Sequence, residues 1–527
     1  MLRFSLTTLV LACAVTAALA AVPPTAPAAP YMVSVMQDDN QLVYGDITQR
    51  RRALNVMRGL GVEAVRVTLL WQAIAPGGTA RRKPRGFNGA NPRDYPPELW
   101  DPYDSLVLEA GARGIAVNFN PTGPGPRWAH KRTRVKSAQR SYKPKPRQFR
   151  KFVQAAGRRY SGSYRDESNG SVLPRVSWWA MWNEPNQPGW LTPQGGKKRG
   201  VGRFAAAPHV YRELLVEGAK GLLATGHADD SLLIAELAPL GAVKKPKGII
   251  PSLRPGLFLR EMFCLNRRYR RFKGRAAEAR GCDDVRSLRI LKRFARLGFG
   301  HHPYTRKRAP RKRTRQRDVL DISNVRALPK ALNKIARRTR LLPRDMPIFF
   351  TEFGYQTLPP DPFRGVSFEK QAEYVNEAEF IAWRHPRVFS HAQFQLYDVP
   401  PRTQFPVDTA AYWATYQSGL FTALPEGAPK PAANAYKFGL VVRRRGGTAR
   451  IWGVARFAPN GASYPVALQE RTPGSSTWVT SGDLVQVTQA QGYFRARRPT
   501  QRGSTWRAVW GAPDNSRFEI SREAVAR

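Results

Sequence analysis

Short apolar runs alternate with amphipathic stretches along the chain from Tyr31 onward. Brief runs without a polar face, bounded by turn residues, read as buried strands; stretches with an apolar position every third or fourth residue read as helices. Tyr31 to Met36 is the first strand, and Ile47 to Leu60 is helical. Gly61 to Trp71 holds a second strand, and Gly114 to Asn120 a third, after a helix around Tyr103 to Gly111. The apolar run Ser177–Trp182 is the fourth strand and Leu232–Glu236 the fifth. Leu297–His302 is the sixth, Met346–Phe350 the seventh and Phe389–Leu396 the eighth. Eight strand–helix units over residues 31–430 predict an α/β fold, a (β/α)8 TIM barrel with its chemistry at the C-terminal ends of the strands.

The period changes after Pro431. Arg450–Val454, Tyr464–Gln469, Gly492–Arg497 and Thr505–Trp510 alternate with period two and have no helices between them. Pro459-Asn460-Gly461 and Pro473-Gly474 supply turns. A small all-β sandwich, similar to bacterial immunoglobulin-like modules, is expected over residues 431–527. In it, Trp506 and Trp510 read as core rather than as sugar platforms.

Two strand ends carry the chemistry. The apolar run Trp178-Trp179-Ala180-Met181-Trp182 stops at Asn183-Glu184-Pro185, and Pro185 cannot donate to a ladder. Ile348-Phe349-Phe350 stops at Thr351-Glu352-Phe353-Gly354. Two carboxylates on one rim of a barrel are what hydrolysis of a glycosidic bond requires. Trp182-Asn183-Glu184-Pro185 and Thr351-Glu352-Phe353-Gly354 resemble the fourth- and seventh-strand motifs of clan A retaining glycoside hydrolases, the group that includes families 5 and 39. The resemblance covers roughly residues 31–430. It implies Glu184 as acid/base, Glu352 as nucleophile, and Asn183 as a ligand of the sugar 2-hydroxyl. It also implies that Arg66, inside the second strand, bonds the nucleophile. His302-Pro303-Tyr304 resembles the clan's His-x-Tyr, with His302 contacting sugar and Tyr304 steering the nucleophile. His301 has no counterpart and reads as a core histidine. Trp71, Trp128 and Trp190 follow strands, and each is either a sugar platform or core. The clan's strand-eight tryptophan is missing: Gln393, Gln395 and Tyr397 stand there, so the floor of the cleft is polar or its aromatic comes from elsewhere.

Composition changes the picture in three ways. Arg3 followed by an apolar Phe4–Ala20 reads as a secretory signal over residues 1–20, with a Pro-rich leader over 21–30. No later run is long enough to span a membrane. Of the 3 cysteines, Cys13 leaves with the signal, so Cys264 and Cys282 are expected to form a disulfide. No metal is expected, since no His/Cys cluster has zinc-ligand spacing, and no cofactor is expected either. The net charge of +48 points to anionic partners. The basic residues cluster after strands: Arg81–Arg85, Lys131–Arg147, Lys197–Arg199, Lys244–Lys247 and Arg306–Arg317. On a barrel these are catalytic-face loops, so the expected substrate is a carbohydrate, with a uronate- or phosphate-containing polysaccharide favoured. A catalytically silent barrel that binds an anionic cell-wall polymer is the rival reading. No nucleic-acid motif accompanies the charge, and a monomer is expected.

Overall fold

A computed structural model of the protein describes residues 31–242, 251–457, 463–512 and 517–527. The signal and leader segments, Lys244–Lys247 and the turn at Pro459-Asn460-Gly461 lie outside the described residues. Eight parallel strands close a barrel: β1 (Val33–Gln37), β2 (Ala64–Leu70), β3 (Ala116–Thr122), β4 (Trp178–Ala180), β5 (Ser231–Leu237), β6 (Arg296–His301), β7 (Ile348–Phe350) and β8 (Val388–Phe394). Each strand neighbours its successor. Closure comes from β1 on β8, with Val33 opposite Ser390 and Gln37 opposite Phe394. Helices fill the connections. Ile47–Gly59 begins where the Asp46 carboxylate accepts from the Gln49 N–H at 2.7 Å. Phe368–Trp383 begins under a Ser367 cap. Such caps satisfy backbone donors that have no partner within the helix.

Strands 4 and 7 are only three residues long, shorter than their apolar runs suggest. The chain does not leave the sheet at once after β4. Met181 N donates to Leu233 O and Trp182 N to Pro121 O, both at 3.0 Å.

After the helix Pro431–Lys437 the pairing becomes antiparallel. The strands are β9 (Phe438–Arg445), β10 (Thr448–Ala455), β11 (Tyr464–Arg471), β12 (Val479–Thr480), β13 (Val485–Val487), β14 (Tyr493–Pro499), β15 (Thr505–Gly511), β16 (Phe518–Ile520) and β17 (Ala524–Val525). One sheet runs β9-β10-β14, and the other is built on β11 and β15. Their facing sides share a core of Phe438, Leu440, Ile451, Val466, Leu468, Trp506 and Trp510. Both tryptophans therefore pack inside, as their alternation with Arg507 and Val509 implies.

Residues of opposite parity on β9 and β10 face the barrel instead. Trp452 lies against Phe380 and Trp383, with ring centroids 5.5 and 6.0 Å away. Arg456 pairs with the buried Glu379, which also accepts from Tyr493 Oη at 2.8 Å. The first sheet thus buries both faces, one on the barrel helix Phe368–Trp383 and one on its partner sheet.

Candidate active site

The turn after β4 aims the first carboxyl. Trp182 and Glu184 have φ of +66° and +34°, values that cost an L-residue about 1–3 kcal/mol and persist only where neighbours over-determine them. Those neighbours are present. Asn120 Nδ2 donates to the carbonyls of Ala180 (3.0 Å) and Trp182 (3.2 Å). Asn183 N donates to Thr122 Oγ1 at 2.8 Å, and Glu184 N to Glu236 O at 3.0 Å. Glu184 is left half-buried at the cleft, with Asn183 buried beside it.

Arg66 is the hub. It sits fully buried on β2, where an unpaired guanidinium would be very costly. Its Nη1 donates to Glu352 Oε1 at 2.8 Å and to Gln37 Oε1 at 2.5 Å. Its Nη2 reaches Asn183 Oδ1 at 2.7 Å and Glu236 Oε2 at 2.9 Å. Burial works against the Arg66 charge, but Glu236 and then Glu352 outweigh it, and its pKa lies above the ordinary arginine value. Asn183 accepts with its oxygen, so its amide N–H2 is turned away from Arg66 and available to a ligand.

His302 stands between the carboxyls. Its Nδ1 is 2.9 Å from Glu184 Oε1 and 3.4 Å from Glu352 Oε2; its Nε2 is 3.1 Å from Glu236 Oε2. Burial disfavours its charge, but Glu352, Glu184 and Glu236 prevail and lift its pKa to about 9. Tyr304 Oη donates to Glu352 Oε2 at 3.2 Å. Burial and the Glu352 charge push the Tyr304 pKa well above its usual range, so it remains a donor. Burial raises the Glu352 pKa against the pull of His302 and Arg66, so its ionisation depends on both cations staying charged. Glu184, His302 and Glu352 present their nearest ligand atoms within 4.8 Å of one another. The trio is poorly suited to a metal ion: a charged imidazole has no lone pair to offer, and Arg66 already supplies positive charge.

His302 sets a pH window. Its folded-state pKa lies above the ordinary 6.5, so its pairing stabilises the fold fully below about pH 6.5 and is lost as pH rises through about 9. Thermal midpoints measured over that window are expected to fall, and His302→Gln should flatten the fall. His301 behaves as a core residue. It is buried, its ring nitrogen bonds Leu320 O at 2.9 Å, and burial lowers its pKa to about 4.

The cleft has a volume of about 770 Å³ and includes Glu184, Glu352, Tyr304 and Trp190 in its wall. The other two candidate tryptophans are elsewhere. Trp71 is buried and stacks on Phe152 at 5.8 Å, and Trp128 meets it edge-on at 6.3 Å. Phe149 and Phe152 of the helix Pro146–Arg159 pack on Trp71, and Phe87 packs on Trp128, so both tryptophans lie in the core and off the cleft wall. At strand eight the second of the two expected alternatives holds, an aromatic from elsewhere. Gln393 is turned away from the cleft, donating to Ser418 O at 2.8 Å, and Tyr397 packs on Phe421. Phe394 and Tyr416 line the cleft instead, edge-to-face at 5.1 Å. The aromatic floor therefore comes from the residue between the two glutamines and from a later loop.

Sequence reading also passed over Gln37 and Glu236. Glu236 had a visible signal, since Leu232–Ala235 is a third apolar run that ends in a glutamate. Of the basic runs, Arg306 and Lys307 reach the cleft wall, joined by Arg364. Most of the basic side chains of Arg81–Arg85 and Lys131–Arg147 are exposed.

Cys264 and Cys282 are joined, with Cα atoms 5.7 Å apart. The excursion they close is also pinned by the buried Arg212, which donates to the carbonyls of Arg280 at 2.9 Å and Met262 at 3.2 Å. Reduction, or Cys282→Ser, is expected to cost up to about 3 kcal/mol in urea unfolding, the value for a loop of this length. Two free thiols in unreduced protein would contradict the pairing.

No family model matches the chain, and none of the curated protein sequences does. Among solved structures, a family 39 glycoside hydrolase from Bacteroides cellulosilyticus WH2 is similar at a TM-score of 0.47 and 13 % identity, over 90 % of this chain and 82 % of that one. GH5_18 from Streptomyces cattleya is similar at 0.44 and 14 %, over 78 % and 79 %. A family 1 β-glucosidase from Thermotoga maritima is similar at 0.43 and 15 %, over 74 % and 86 %. Among the described residues no helix is long and apolar enough to cross a membrane.

Proposed function

We propose that the protein is an exported retaining glycoside hydrolase with a preference for an anionic glycan. One observation carries the reading: Glu184 and Glu352 share one cleft, with their nearest oxygens within 4.8 Å. That distance suits the short separation of retaining enzymes, about 5 Å, and leaves no room for the water an inverting enzyme needs.

The contacts support a division of labour. Glu352 faces three donors, Arg66, His302 and Tyr304, which favour its anion. Glu184 faces His302 and the open cleft. In the first step a Glu352 oxygen attacks the anomeric carbon and the glycosidic C–O bond breaks. The leaving oxygen keeps the bonding pair and takes the proton of Glu184. In the second step water attacks the same carbon, Glu184 takes a proton from that water, and the ester breaks to return the Glu352 carboxylate. Asn183 Nδ2 is placed to hold a sugar hydroxyl, and Trp190, Phe394 and Tyr416 offer apolar faces.

Arg306, Lys307 and Arg364 on the wall, with a net charge of +48 behind them, support an acidic substrate. The division into a catalytic unit over 31–430 and a β unit over 431–527 belongs to the same proposal; the change in strand pairing across Pro431–Lys437 supports it. Export is supported by the sequence of residues 1–20. The test is covalent: a panel of 2-deoxy-2-fluoro glycosides with activated leaving groups should label one peptide, the one that contains Glu352. Labelling elsewhere, or none across hexose, pentose and uronic-acid donors, would favour the silent barrel.

A further inference from the structure

Glu236 is a carboxylate that the mechanism above does not use. It is completely buried at the end of β5 and lies beneath the cleft rather than on its wall. All its compensation falls on one oxygen. Oε2 accepts from Thr351 Oγ1 at 2.7 Å, from Arg66 Nη2 at 2.9 Å and from His302 Nε2 at 3.1 Å. Oε1 has no hydrogen-bond partner among the described residues.

The backbone is bent to put it there. The β5–β6 register shifts between Ile234 and Leu237, and Ala235 and Glu236 have φ of +84° and +45°. Consecutive L-residues in that region are costly, and bulges of this kind re-aim side chains beside active sites. The next strand makes room. A Cβ at Gly300 would come within 1.7 Å of Glu236 Oε1, so only glycine fits opposite this carboxyl.

We propose that Glu236 is a positioning residue that holds His302 as a doubly protonated imidazolium between Glu184 and Glu352. The proposal rests on the retaining reading for its catalytic consequence, though not for its geometry. Because Glu236 Oε2 accepts from Nε2, that nitrogen carries a proton. Nδ1 faces Glu184 Oε1 and the ionised Glu352 Oε2; with the Glu184 proton on its other oxygen, Oε2, Nδ1 carries one as well. A neutral ring would turn a lone pair toward a carboxylate. The raised His302 pKa agrees with this arrangement.

An imidazolium at this place keeps the cluster's net charge constant through the first step. At the start of the first step Arg66 and His302 are positive, Glu236 and Glu352 negative, and Glu184 carries the proton that the step requires, so the cluster is neutral. In the glycosyl-enzyme Glu352 is an ester and Glu184 is ionised, and the cluster is neutral again. The negative charge has moved from one carboxyl to the other, and His302 Nδ1 already lies 3.4 Å from the first and 2.9 Å from the second. A fixed imidazolium can follow that charge without reorganisation, the condition under which buried electrostatics help a reaction. The other titratable groups around the cluster are Asp39 beside Arg66, Tyr304 beside Glu352, His301 beside His302, Tyr416 from the loop after β8 beside Glu184 and Glu352, and Tyr211 from the helix Ala207–Leu223, which lies by Glu236 and whose hydroxyl accepts from Ala235 N at 2.7 Å. Asp39 is the one further carboxyl among them; burial raises its pKa, and it lies on the Arg66 side.

The experiment is a side-chain NMR titration of the 15N-labelled full chain, with His302 assigned through His302→Gln. Wild-type His302 should show two ring N–H groups and keep them to about pH 9. In Glu236→Gln the midpoint should fall by about 1–2 units. The alkaline limb of kcat/KM on an aryl glycoside the wild type cleaves should move down by a similar amount. If Glu236 served only to neutralise Arg66, the His302 midpoint would not move. An unchanged midpoint therefore overturns the proposal, and so does a wild-type His302 that titrates near 6.5, which decides the matter even if Glu236→Gln fails to fold. A shifted midpoint in a protein that cleaves no glycoside would sink the hydrolase reading and leave the His302–Glu236 coupling standing.

Discussion

Glu352→Gln is expected to reduce turnover of every substrate by at least about 10⁴-fold, since removing a nucleophile takes away the covalent route altogether. The amide is nearly isosteric and can keep contacts with Arg66 and Tyr304, so folding should survive. Glu184→Gln should behave differently. Loss of a general acid costs about 10²–10⁴-fold on a poor leaving group, and little in the first step on dinitrophenolate, which needs no proton. With such a substrate the second step becomes limiting, and the glycosyl-enzyme should accumulate as a burst. Azide should rescue Glu184→Ala, because a small anion fills the vacated space and attacks without a general base. The product should be a glycosyl azide of retained configuration. Equal losses for both variants on every leaving group would mean that the two carboxyls do not hold separate roles. An inverted azide product would refute the double displacement.

The second large effect is electrostatic. If the basic loops serve the substrate, kcat/KM on an acidic polysaccharide should exceed that on a neutral analogue by about 10–10³-fold at low salt and converge on it as salt rises. The convergence should be steep below about 0.1 M, where the screening length is about 10 Å. Two variants separate near from far contributions. Replacing Arg306 and Lys307 by glutamine removes charge from the cleft wall and should raise KM for the acidic polymer at all salt concentrations. Neutralising the eight basic residues of Lys131–Arg147, most of them exposed, removes long-range attraction and should matter only at low salt. A small aryl glycoside should be indifferent to the second change. Equal loss on both substrates, or a flat salt response, would return the charge to a general solvated surface.

How far each residue could be anticipated follows from the range of the interaction that places it. The barrel strands, the period change after Pro431 and the delivery of Glu184 and Glu352 to strand ends all come from local pattern. A short apolar run that stops at a carboxylate can be read without knowing its neighbours. Arg66 belongs with them, since a guanidinium inside an apolar strand must have buried partners. The disulfide was legible for a similar reason: only one pairing of the remaining cysteines exists.

Other features were decided only when strands met. Trp71 and Trp190 look alike in sequence, yet the helix Pro146–Arg159 covers one and leaves the other on the cleft. Phe394 reached the site because it shares the inward parity of Ala392 on β8 and stands opposite Gln37 of β1, a register that one segment alone does not show. Glu236 needed most of all. Its run resembles the other two, but its role depends on a bulge at Ala235, a glycine on the adjacent strand, and three donors: Arg66 on β2, Thr351 just past β7 and His302 just past β6. The sequence by itself determined which chemistry arrives at the rim, because periodicity and burial are properties of one segment. Tertiary structure alone decided which carboxyl faces the cleft, which lies beneath it, and which aromatics line it, because those depend on the register and packing of segments far apart in the chain.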